Sequence, residues 1–144
     1  MKKKSSIWIK VVGIICLIIG SFGTLSGFQG IYLSEMMSMV KSNDSVPVLA
    51  ANWMYYSSIV KIFISVFYLI VSIMILRKKA SAILLFYWVA AANIVFGLLN
   101  AGVSFSMASD INVGVILWVS FGVILNIVMI SVVAKGNKEE FQEI

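Results

Sequence analysis

Four apolar runs, residues 7–33, 53–76, 82–107 and 113–134, set what this chain can become. Each reaches the roughly 20 residues of helix that cross a hydrocarbon core about 30 Å thick. A backbone in that medium has no water to satisfy its amides and carbonyls, so each run has to close its own hydrogen bonds as a helix. The expected fold is all-α, an integral membrane four-helix bundle. It forms a single transmembrane domain over residues 1–144, with a loop at 34–52 and a hydrophilic tail at 135–144. Composition excludes a soluble alternative, because the chain is 61% hydrophobic and only 12% charged, against about a quarter charged in soluble domains. A cleavable signal peptide is disfavoured as well, since the first apolar run is too long for a signal h-region.

The net charge of +5 would suit nucleic acid if it were clustered on a polar surface. Instead Lys2, Lys3, Lys4, Lys10, Arg77, Lys78, Lys79, Lys135 and Lys138 flank apolar runs, so the charge is topological and no nucleic-acid partner is expected. By the positive-inside rule both termini and the Arg77 turn are cytoplasmic. Pro47 and Asp110 then lie outside, and Asp110 is placed to cap the fourth helix. Trp8 and Trp88 are expected in the belt at one interface and Trp53 and Trp118 in the belt at the other.

Within the first run, small residues fall at Gly13, Cys16, Gly20, Gly23, Gly27, Gly30 and Ser34, in steps alternating between three and four. That is a heptad seam, and in lipid such small side chains let another backbone approach closely. The spacing leaves open whether the partner is another helix of the same chain or a second molecule. Val12 and Ile19, off the seam, are expected to face lipid. Similar alternations run through Ser58, Lys61, Ser65, Tyr68 and Ser72 in the second run and Ala90, Asn93, Gly97, Asn100, Ser104 and Met107 in the third. The fourth carries Gly122, Asn126 and Met129. These faces should point into a closely packed bundle, away from lipid.

Asn93, Asn100 and Asn126 admit two readings, as interhelical hydrogen-bond glue or as the lining of a hydrated cavity for a small polar solute or lipid headgroup. Lys61 is the ionisable residue clearly inside a run, which marks it for function by default. It can send its ammonium to the interface, pair with Glu35 or Asp110, or hold an anionic ligand. Met36, Met37 and Met39 offer soft thioethers, but with one cysteine and no histidine they read as apolar filler, so no metal site is expected. No cofactor motif is present. Catalysis lacks its parts: the runs hold no acid, no paired carboxylates and no histidine, so no catalytic residue is assigned.

Small four-span multidrug exporters are similar in size and glycine content, but depend on a glutamate in the first span, which is missing between Lys10 and Glu35. The lysine-plus-tryptophan start, the glycine-rich first helix and the short charged tail resemble small uncharacterised four-span bacterial inner-membrane proteins. That resemblance is architectural and implies a bacterial cytoplasmic membrane. The leading functional expectation is a non-enzymatic protein acting by helix association, as a homo-oligomer or an accessory subunit of a membrane assembly. Its warrant is an apparent surplus of close-packing surface, the glycine seam with Ser21, Thr24 and Ser26 beside it. The competing expectation is a small-solute or ion pathway lined by the Asn and Ser faces.

Overall fold

A computed structural model describes residues 7–39, 48–107, 113–136, 138 and 141. Four helices account for nearly all of them: α1 (Ile7–Met39), α2 (Val48–Leu76), α3 (Ser81–Met107) and α4 (Val113–Lys135). All four are long and apolar enough to cross a membrane. α1 runs on past residue 33, and α2 begins at Val48, before Trp53. The expected N-cap Asp110, Pro47 and most of the charged tail lie outside the described residues.

The turn from α2 to α3 follows from how a helix ends. The amide of Lys79 donates to the carbonyl of Met74 and that of Lys78 to Ile75, at 3.0 and 2.9 Å, the paired bonds of a Schellman motif. The motif needs a left-handed residue, and Lys78 supplies it with φ of 56° where glycine is usual. Arg77, Lys78 and Lys79 also set positive charge on the carbonyl end of α2, where the helix dipole favours it.

The helices form an antiparallel ring in which each packs on its neighbours in sequence and α4 returns to α1. Packing around the ring is uneven. α1 and α2 are in intimate contact along their length, while α1 and α4 meet least. The α1–α4 contact is made at the end that carries the termini, here called the proximal end. There Ile9, Val12 and Cys16 join Tyr68, Val71, Ile75, Ala82, Phe86, Met129 and Val133 in one buried apolar cluster. Val12, expected in lipid, is thus part of the core, and Ile19 is half-buried against it. α1 is buried on two adjacent faces at this end, a width that a single seam does not reveal.

Among the tryptophans, Trp88 and Trp118 are exposed on outer faces, whereas Trp8 and Trp53 are half-buried. The Trp8 ring stacks on Phe141 with centroids 5.7 Å apart, over Gly136. Trp53 donates from Nε1 to Asn100 Oδ1 at 3.0 Å, tying α2 to α3.

Candidate functional site

The glycine seam of α1 closes on α2 of the same chain. A Cβ built on Gly13 would lie 2.7 Å from Leu76 Cδ2, and one on Gly20 would lie 2.8 Å from the Ser65 carbonyl oxygen. At Gly23, Gly27 and Gly30 it would overlap Ser65 Oγ, Ile62 Cγ1 and Ser58 Oγ. The partners on α2 form two sets at seven-residue spacing, Ile62, Leu69 and Leu76 against Gly27, Gly20 and Gly13, and Ser58 and Ser65 against Gly30 and Gly23. Ser72 Oγ donates to the Gly13 carbonyl at 2.7 Å, an interhelical bond set within the seam. Thr24 and Ser26, beside the seam, turn their hydroxyls to the carbonyls of Gly20 and Gly23 on their own helix. The intramolecular reading of the seam is the one the geometry supplies.

The other stripe of α2 behaves differently. Lys61 and Tyr68 alternate with the serines and, with Ser65 and the α1 residues Ile18, Phe22, Gly23 and Ser26, line a cavity of about 660 Å³ in the distal half of the bundle. α3 contributes Asn93, Gly97 and Asn100 to its lining, and α4 contributes Gly122 and Asn126. A Cβ on Gly97 or Gly122 would meet nothing within 4 Å. The expectation of close packing therefore fails on this side. Side chains as long as lysine and tyrosine hold the helices apart, and the glycines opposite leave the gap unfilled.

Tyr68 is the floor of this cavity. It is fully buried, belongs to the proximal core, and donates its hydroxyl to Asn126 Oδ1 across the bundle from α2 to α4. Asn126 Nδ2 donates in turn to the Gly122 carbonyl at 2.8 Å, and Asn93 lies beside the same hydroxyl. Asn126 thus has both ends of its amide engaged, which is the glue reading. Asn100 is glue through its carbonyl, held by Trp53. Lys61 is different, having neither an ion pair nor a hydrogen bond among the described residues. Glu35, one of its expected partners, is exposed on α1. Asp110, the other, lies outside the described residues.

No family model, curated protein or solved structure matches the chain.

The wall of the cavity changes character around its circumference. Most of its polar side chains, Lys61, Ser65, Tyr68, Asn93 and Asn100, come from α2 and α3, whereas α1 and α4 add Ser26 and Asn126 to a mainly apolar lining that includes Ile18, Phe22, Trp118 and Phe121. Phe22 and Trp118 are 70% and 72% exposed, so the wall between α1 and α4 is open to the surroundings at this level. The sequence marked Lys61 and the three asparagines. It missed Tyr68 as the strut that sets the cavity floor, although Tyr68 stands on the same seven-residue stripe as Lys61 and that spacing was the available signal. Met36, Met37 and Met39 are exposed at the end of α1, away from the cavity lining.

Proposed function

We propose that the chain is a non-enzymatic, multi-pass protein of a bacterial cytoplasmic membrane that takes a small polar or anionic solute into the distal cavity. On the positive-inside argument, the termini and the Arg77 turn face the cytoplasm and the cavity lies toward the opposite face. The observation that carries this reading is Lys61, a cation inside an apolar span, lining a cavity with no ion pair or hydrogen bond among the described residues. An uncompensated charge in such a place is costly, and its retention favours a guest that supplies the missing interactions. The association reading drew its warrant from surplus small-residue surface on α1, and the glycine seam within that surface is engaged by α2. The cavity makes the stronger case.

The test is whether water and small solutes reach the cavity. In a Cys16→Ala background, Gly97→Cys and Gly122→Cys place thiols where the structure has room for them. In phosphatidylcholine vesicles both should react with a small uncharged maleimide much faster than Leu98→Cys, on the exposed apolar face of α3. Labelling no faster than at Leu98→Cys would mean a sealed or collapsed cavity and would remove the reading.

A further inference from the structure

We propose that the cavity is a site for the headgroup of an acidic membrane phospholipid, which enters sideways between α1 and α4 with its phosphate at Lys61. This rests on the solute-binding reading above and names the class of solute. Three features of the site converge on it: charge, asymmetry and depth.

Charge comes first. Lys61 brings three donors and no acceptor. The carbonyl of Asn100 is held by Trp53, and both ends of the Asn126 amide are engaged. What the site has left to offer a guest is therefore weighted toward donors around a positive charge, which suits an anion with several acceptor oxygens. The acidic residue described on the spans, Glu35, is exposed and makes no ion pair with Lys61 among the described residues.

Asymmetry selects an amphiphile over a free anion. A phosphate ion at Lys61 would leave water against Ile18, Phe22, Trp118 and Phe121, which has an apolar-surface cost. A lipid places methylenes there. The cavity of about 660 Å³ receives the headgroup and the first methylenes, and the open wall lets the rest of the chains stay in the bilayer. Trp118 on the rim is an amphipathic ring of the kind that settles at headgroup level.

Depth makes the docking feasible. Lys61 stands 15 residues from Leu76 at the proximal end of α2, about 22 Å along the helix. With the Arg77 turn at one face of a core about 30 Å thick, Lys61 lies about 8 Å below the other face. A lysine stem covers most of that distance, so a lipid of the distal leaflet has to dip only slightly.

The Gly97→Cys protein tests this in vesicles with and without an acidic phospholipid, using the same uncharged maleimide. Phosphatidylglycerol should slow labelling by about tenfold, as one charge-assisted contact requires, while Met36→Cys at the exposed end of α1 labels equally in both vesicles. Inorganic phosphate added to phosphatidylcholine vesicles should give no protection. Lys61→Met should label fast in both vesicles, and Lys61→Arg should restore protection. A readout that needs no variant is native mass spectrometry of the wild-type chain, with one phosphatidylglycerol retained in preference to phosphatidylcholine. Equal labelling in the two vesicles, or protection that survives Lys61→Met, overturns the lipid site while fast labelling keeps the cavity reading. Protection by free phosphate replaces the lipid with a soluble anion. Slow labelling in phosphatidylcholine removes both readings together.

Discussion

Gly23 on α1 and Gly97 on α3 occupy comparable places in stripes of the same period, each following a phenylalanine. A Cβ on the first would overlap Ser65 Oγ, and one on the second would meet nothing within 4 Å. The difference lies in what α2 turns toward each. To α1 it presents Ser58, Ser65 and Ser72 interleaved with Ile62, Leu69 and Leu76, and the glycines leave room for both sets. Toward the cavity it presents Lys61 and Tyr68, which keep the helices apart. A stripe of small residues therefore marks the inward face of a membrane helix, and whether a partner helix fits its side chains into that stripe decides whether the face closes or stays open.

The sharpest way to break this comparison is to put the same side chain at both places. Gly23→Leu drives a branched side chain into Ser65 where α1 and α2 already touch, and overpacking of this kind costs about 1–3 kcal/mol. We expect loss of the folded monomer in mild detergent, or a large fall in thermal midpoint, and the same for Gly27→Leu. Gly97→Leu should leave the midpoint unchanged or raise it, because the added atoms enter free space and glycine is about 1 kcal/mol poorer than leucine in a helix. The lipid-facing control is Leu25→Ile on the exposed side of α1, since Val12 and Ile19 belong to the core side. Equal losses at Gly23 and Gly97 would show that the two stripes pack alike.

Much of this was legible before the structure. Hydropathy defined four helices because lipid leaves the backbone no other way to satisfy its amides. The heptad steps identified the inward faces, and the scarcity of charge singled out Lys61. What spacing could not carry was pairing. Whether Gly23 meets Ser65 or another molecule depends on tertiary geometry, and so does the orientation of Trp53, which hydropathy alone assigns to an interface but which donates to Asn100. The burial of Ile9 and Val12 on α1 was hidden because isoleucine and valine read the same toward lipid as toward a core. In water that ambiguity is weaker, since a polar outer face would contrast with the buried one.

Tyr68→Phe sharpens the boundary between the closed and open halves. The change keeps the ring in the proximal core and removes the hydroxyl that reaches Asn126. Left without that donor, the Asn126 carbonyl sits in a buried site, and we expect a loss of about 1–2 kcal/mol. Thermal midpoint measures the cost, and maleimide reactivity at Gly97→Cys should change with it, because the cavity floor loses its tie to α4. A midpoint equal to wild type would mean that packing of the ring alone holds the floor.

The smallest effect separates size from hydrogen bonding in the closed seam. Ser72→Ala removes the bond from Oγ to the Gly13 carbonyl but keeps a side chain small enough for the backbones to stay in contact. That carbonyl sits within α1, where the helix ladder supplies its own donor, so the substitution takes away a second interaction and strands no buried acceptor. Interhelical bonds between membrane helices average about 0.6 kcal/mol, and the expected fall in stability is of that order, well below the loss at Gly23→Leu. The measurement is the unfolding free energy of both variants in the same detergent. If Ser72→Ala were as damaging as Gly23→Leu, the serine hydroxyls would be holding α1 to α2, and closeness of approach would be their consequence. A loss near the average leaves shape as the cause, with each serine chosen chiefly because it is small.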